Sequence, residues 1–253
     1  MPAVVSKDSV DLAIKKDVVR CVARCNGRFL KFAQAYEIGE ALDKFSMGGI
    51  CLAESITWID YFSVTGRSPI NPATHNDKQN FLANSFNLQL SIKGRAENAT
   101  EWLRQQGCTR SWGTGDGQAP SNAIEKLQPV DKLDIACFPF SGQLALVLFH
   151  DMNPDNTSTG NGHTICAWLA DGKDPLVSKS GRETGRSIVF DPNFGEFSLQ
   201  NRGDARQFMK MLAKAVYDTY PRFELHMYKT RGQQTEESKA AKGGKLFHMP
   251  FKF

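Results

Sequence analysis

Ser46-Met47-Gly48-Gly49-Ile50-Cys51-Leu52-Ala53-Glu54-Ser55-Ile56-Thr57-Trp58 decides how this chain is read. Two glycines stand just before Cys51, and Ile50, Leu52, Ile56, Trp58 and Ile59 recur at roughly helical spacing after them. The pattern predicts a helix that begins at the cysteine, runs to about Phe62 and ends before Gly66. A thiol in the first turn of a helix faces unpaired backbone N–H groups and the positive end of the dipole. Both favour the thiolate, the form that attacks carbonyls. Glycines ahead of it allow a tight turn and close approach of a substrate.

Working outward, the residues before and after this helix differ in kind. Upstream, Val10 to Phe32 reads as helix interrupted near Gly27, with Ile14, Val18 and Val22 four apart on one face. Downstream, Asp77–Leu90 and Ala96–Gln106 read as two more helices, with Gly107 as a stop. Arg110–Pro120 reads as a glycine-rich loop that lacks the Lys-Ser/Thr sequel of a phosphate-binding loop. The second half changes period. Asp134–Phe140 and Leu144–His150 flank a Ser141-Gly142-Gln143 turn and read as a hairpin. Strands are predicted at His163–Leu169, Ser187–Asp191, Glu196–Leu199 and Phe223–Tyr228, with a helix at Ala205–Tyr217. Helices first and antiparallel strands second is an α+β arrangement. One domain is expected over residues 1–230, its first 45 residues helical, followed by a polar, basic tail at 231–253.

The chain has 253 residues, 41% of them hydrophobic, enough for a substantial core. No apolar run approaches the roughly 20 residues of a membrane helix. Lys7, Asp8, Asp11, Lys15 and Lys16 do not suit a signal peptide. Six cysteines without such a signal fit a reducing compartment and free thiols. The net charge of +4 is unevenly spread. Residues 36–201 hold 13 Lys/Arg against 19 Asp/Glu, and residues 202–253 hold 11 against five. Basic ends of this kind meet acidic partners or are simply solvated.

A nucleophilic thiolate needs a base within hydrogen-bond reach and a third group to orient that base. Among five histidines, His75 and His248 lie in a loop and the tail, His150 ends a strand, and His226 sits inside an apolar strand. His163 opens one predicted strand and Asp191 closes the next. If 163 pairs with 191, then 167 pairs with 187 and both side chains share a face. Each residue also has an ordinary role: a cysteine packs in cores, a strand-edge histidine is structural, and an aspartate before proline starts a turn. Their order, each at an element edge, favours the joint chemical reading. Cys21 and Cys25, at i and i+4, have no second pair at zinc spacing and read as core; His163 and Cys166 alternate to opposite strand faces. No metal or cofactor is called for. No nucleic-acid motif is present.

Gly49-Ile50-Cys51-Leu52-Ala53-Glu54-Ser55-Ile56-Thr57-Trp58, Gly162-His163-Thr164-Ile165-Cys166-Ala167-Trp168 and Phe190-Asp191-Pro192-Asn193-Phe194-Gly195-Glu196-Phe197 resemble the YopT/AvrPphB-type cysteine peptidases. These are papain-like effectors that bacteria deliver into host cells. The resemblance spans about residues 46–199. It implies a papain-like fold with Cys51 as nucleophile, His163 as general base and later acid, and Asp191 as orienter. It implies a host protein substrate, secretion without a cleaved signal peptide, a place in the host cytosol, and room for a secretion chaperone or apparatus partner. Two departures stand out. The segment between His163 and Asp191 is long for this family. The amide that papain-like enzymes place just before the nucleophile is absent, leaving the Ser46 hydroxyl and the Cys51 N–H as candidate oxyanion donors. Glutamine deamidases and transglutaminases use the same triad, and a non-catalytic binder on this scaffold is the third reading. The terminal Lys245–Phe253 mixes basic and aromatic residues and suits a membrane surface, a host partner or packing on the domain.

Overall fold

The run Leu144–Phe149 is buried on both sides, which is why it is continuously apolar rather than alternating. It forms the middle of a sheet in the computed structural model, which describes residues 7–32, 50–70, 75–93, 95–114, 127–137, 140–171 and 186–231. In chain order the helices described are α1 (Lys7–Arg24), α2 (Cys51–Thr65), α3 (His75–Ile92), α4 (Ala96–Gln105), α5 (Leu133–Ala136) and α6 (Arg202–Val216). The strands are β1 (Arg28–Lys31), β2 (Thr109–Gly113), β3 (Gln128–Pro129), β4 (Gln143–Met152), β5 (Ser158–Leu169), β6 (Ser187–Asp191), β7 (Gly195–Leu199) and β8 (Arg222–Lys229). They form one antiparallel sheet in the order β1-β7-β6-β5-β4-β8-β2, with β3 also on β8. The fold is α+β, as expected from the sequence.

Alternation along the strands divides the core in two. Val147, Ile165, Val189, Phe197 and Leu225 face α1 and α6, packing with Val18, Val22, Phe208 and Leu212. Leu146, Cys166, Ile188, Phe190 and Tyr228 face the other way, against Ile56, Trp58, Ile59, Phe81 and Leu103 of α2, α3 and α4. The helix α2 is buried along most of its length, so its apolar residues serve both the sheet and the neighbouring helices. It ends where Gly66 takes φ 65° and its N–H returns to the Phe62 carbonyl, a left-handed stop that glycine makes without strain.

Four sequence expectations need correction. The helix at the N-terminus ends at Arg24; Leu30 belongs to edge strand β1, paired with Glu196, and Phe32 follows it. Asp134–Phe140 is not a strand: Leu133–Ala136 is a short helix after a 3₁₀ turn, and Leu133 and Cys137 anchor it in the core. The partner of β4 is instead β5, joined through residues 153–157. Thr109–Gly113 is a partly buried strand at the end of the sheet, bulged between Arg110 and Trp112; Trp112 is its one large apolar residue, so the sequence carries no apolar alternation there. Last, β5 and β6 pair Ala167 with Val189, not with residue 187. The shift is two residues, so His163 and Asp191 keep the same face. Of the expected tail, residues 231–253, all but Arg231 lie outside the described residues.

Candidate active site

Three contacts clamp α2 onto the sheet and so position its first residue. The Ser55 hydroxyl donates to the Thr164 carbonyl at 3.2 Å. The Trp58 indole N–H donates to the Glu196 carboxylate at 3.0 Å, both buried. The Trp58 ring lies parallel to Phe190 and stacks closely on Phe62. Cys51 is therefore held at the sheet's rim beside β5, half-buried, in the first turn of α2. Ile50 gives no side-chain cap to that turn, which leaves the helix N-terminus to act on the thiol.

Opposite it, Gly162 and His163 lie inside β5, which starts at Ser158 and so earlier than the expected opening at His163, because residues 158–162 also pair with β4. A side chain at 162 would run into the Phe149 carbonyl at 2.0 Å, so close approach of β4 requires glycine here. His163 is 5% exposed and Asp191 fully buried. The His163 Nε2–H donates to Asp191 Oδ1 at 3.0 Å. With Nε2 so engaged, Nδ1 is the nitrogen left for the thiol, and Cys51 and His163 line the same cleft, each shifting the other's pKa. The turn after β6 fixes the carboxylate: the Asn193 N–H donates back to Asp191 Oδ1 at 2.9 Å, an Asx turn. The second oxygen, Oδ2, accepts the Tyr217 hydroxyl at 2.8 Å.

The electrostatics separate Cys51 from the other thiols. All six cysteines are free. Burial pushes Cys21, Cys25, Cys108, Cys137 and Cys166 up, Cys137 to about 12. Burial acts on Cys51 in the same sense, but the hydrogen bond and charge of His163, together with hydrogen bonds from Thr164, outweigh it and bring its pKa down. Burial opposes charge on His163 too. The charge and hydrogen bond of Asp191, followed by those of Cys51, overcome it and raise the imidazole to about 10. The direction for both is a thiolate–imidazolium pair.

A cleft of about 920 Å³ opens over this pair. Cys51, Thr164, His163, Asn193 and Tyr217 line one end; Leu148, His150 and Glu224 line another part, with Glu97 at the start of α4 and Asp151 at the end of β4. Three carboxylates and no Lys or Arg stand among the described lining residues. His226 does not line it: its Nε2 pairs with Glu224 at 2.7 Å, and its Nδ1 lies 3.5 Å from the hydroxyls of Thr100 and Tyr228. His150 sits between Ser158 and Glu224.

The structure thus brings together Cys51, His163 and Asp191. Ser46, His248 and the Gly48-Gly49 pair lie outside the described residues. Sequence reasoning did not single out Tyr217 or the role of Asn193. The Asp-Pro-Asn order hinted at the turn, but nothing local links Tyr217 to a carboxylate 26 residues away. Among the described residues no group of His, Cys, Asp and Glu is arranged to hold a metal ion, and no helix is long and apolar enough to cross a membrane.

Comparison with solved structures finds the avirulence protein AvrPphB of Pseudomonas, 15% identical, with a TM-score of 0.43, covering 72% of this chain and 92% of that one. PatoxP, a cysteine protease-like domain of the Photorhabdus asymbiotica toxin PaTox, is 14% identical with a TM-score of 0.40, over 88% of this chain and 61% of that one. The YopT domain of the Pasteurella multocida toxin PfhB2 is 20% identical with a TM-score of 0.24, over 78% and 91%. A search of curated protein sequences finds no match. The sequence profile of one family matches residues 28–231, from β1 to the residues just after β8. By that match the chain belongs to the Yersinia/Haemophilus virulence surface antigen family, the C58 cysteine peptidases.

Proposed function

We propose that this protein is a bacterial effector cysteine protease that cuts a host protein through Cys51, His163 and Asp191. One observation carries the reading: among six thiols only Cys51 is lowered, and it is lowered by a histidine whose far nitrogen is held by a buried carboxylate. The Cys51 thiolate attacks an amide carbonyl; a C–S bond forms and the carbonyl electron pair moves to oxygen. His163 gives its proton to the departing amine as the C–N bond breaks, leaving a thioester. His163 then takes a proton from water, which attacks the thioester and frees the thiol. Asp191 keeps the imidazole oriented and supports its positive charge throughout. The Cys51 N–H and the Ser46 hydroxyl are the proposed oxyanion donors.

The peptidase unit is proposed to span residues 1–230, because α1 shares a core with α6 and the family match covers most of the rest. Glu97, Asp151 and Glu224 favour a basic stretch of substrate in the cleft. Family membership supports delivery into a host cell and a host protein as target.

The test is a comparison of proteomes by N-terminal labelling after expressing wild type or Cys51→Ala in host cells. New termini that require Cys51 are expected and would identify the substrate. Glutamine-to-glutamate mass shifts or new crosslinks that need Cys51, without new termini, would move the assignment to a deamidase or transglutaminase. No difference between the two proteomes would contradict an enzymatic role in that cell.

A further inference from the structure

Tyr217 ends α6: its N–H returns to the Ala213 carbonyl, and its backbone (φ −115°, ψ 33°) leaves the helix. The residue is 5% exposed. Its ring stacks on the His163 imidazole, centroids 4.4 Å apart and planes 25° from parallel. Its hydroxyl donates to Asp191 Oδ2 at 2.8 Å and accepts from the Asn193 amide at 3.3 Å. That same amide nitrogen lies 3.5 Å from His163 Nδ1. Phe149, Phe194 and Tyr220 pack around the Tyr217 ring, so it is fixed from several sides.

We infer that Tyr217 is a positioning residue for the proposed triad, holding Asp191 by its second oxygen and covering the His163–Asp191 hydrogen bond with its ring. The inference rests on the functional reading above. A buried carboxylate keeps its charge only when its oxygens have donors. Oδ1 has two, His163 and the Asn193 N–H, whereas Tyr217 is the donor at Oδ2. Burial and the Asp191 charge hold the phenol well above its ordinary pKa, so it remains a donor across the working range. The ring meanwhile presents a π face to an imidazolium, an attractive placement for a cation. Without the hydroxyl, Oδ2 loses its donor and the carboxylate is free to turn away from His163. The imidazolium then loses its support, and the thiolate is lost with it.

The experiment is the pH dependence of Cys51 alkylation by iodoacetamide, read on the Cys51 peptide by mass spectrometry. It needs no substrate. Wild type, Tyr217→Phe and protein carrying 3-fluorotyrosine at 217 are compared, with thermal melting as a check of folding. Phe keeps the stack and removes the donor, so the acid limb should move to higher pH, with about tenfold slower alkylation on that limb. Fluorotyrosine keeps the shape and strengthens the donor, so the limb should move to lower pH. Should Tyr217→Phe fail to fold, the fluorotyrosine protein decides alone. Profiles that superimpose, or limbs that move the other way, would overturn the positioning role while leaving the triad intact. A wild-type Cys51 that alkylates only as an ordinary thiol would instead overturn the triad reading and this inference with it.

Discussion

Two buried histidine–carboxylate pairs sit on the same sheet, and they differ in what the second ring nitrogen meets. His163 binds Asp191 at 3.0 Å, and His226 binds Glu224 at 2.7 Å. Both histidines are nearly inaccessible. At His163 the other nitrogen lies 3.5 Å from the Asn193 amide, and the ring shares an open cleft with a thiol in the first turn of a helix. At His226 it faces the hydroxyls of Thr100 and Tyr228, inside the wall between α4 and β8. The carboxylate pair is thus a common way to satisfy a buried histidine. In the proposed function, what sets the His163 pair apart is the company of a nucleophile and access for a substrate.

Substitutions should separate the two pairs. The largest effect is expected for His163→Ala: turnover of the identified substrate should fall by about 10⁶, as when a catalytic histidine is removed, and Cys51 alkylation at pH 7 by about 100-fold as the thiol returns toward its ordinary pKa. Next, Asp191→Asn keeps the shape but loses the charge, and kcat should drop by about 10³ to 10⁴. In His226→Phe, the buried Glu224 loses its 2.7 Å contact with His226 while keeping His150 nearby, which should cost about 1–3 kcal/mol of stability. Thermal melting would register this loss, while alkylation of Cys51 below the melting range stays close to wild type. The smallest effect belongs to the cleft wall. Replacing Glu97 and Asp151 with Gln and Asn should raise KM for a basic peptide about tenfold at low salt, with kcat little changed, and the difference should shrink as ionic strength rises. A KM unaffected by either substitution or salt would remove the basic-substrate preference.

The pH dependence of turnover follows from the reactive pair. In the proposed mechanism the active form needs Cys51 deprotonated and His163 protonated. Activity should therefore rise at a pH below that of an ordinary thiol, because the Cys51 pKa is lowered, and fall again as pH passes about 10, where His163 loses its proton. A bell centred on these limits in kcat/KM is the expected profile.

Much of this arrangement is legible in the sequence because it is written locally. The helix that starts at Cys51 and stops at Gly66 combines a strong apolar pattern with a clear end signal. Ser187–Asp191 is a buried strand read with its true limits. The face shared by His163 and Asp191 survived a two-residue error in register, since parity rather than register sets the face. What was illegible is non-local. Leu30 and Phe32 continue an apolar rhythm past Gly27, yet pairing of β1 with β7 decides their conformation. Ile135 and Cys137 alternate like a strand, while packing of Leu133 and Cys137 beneath α6 makes a helical turn. Tyr217 is at the end of a helix whose pattern says nothing of Asp191; only the fold brings them to 2.8 Å.

The most direct test of the central claim is the ultraviolet thiolate absorbance of wild type minus Cys51→Ala across a pH titration. A thiolate signal that rises below pH 9 in wild type and moves up toward it in His163→Ala is the expected result. A difference signal that appears only near pH 9, the ordinary value for a cysteine, and is the same with or without His163, would contradict it.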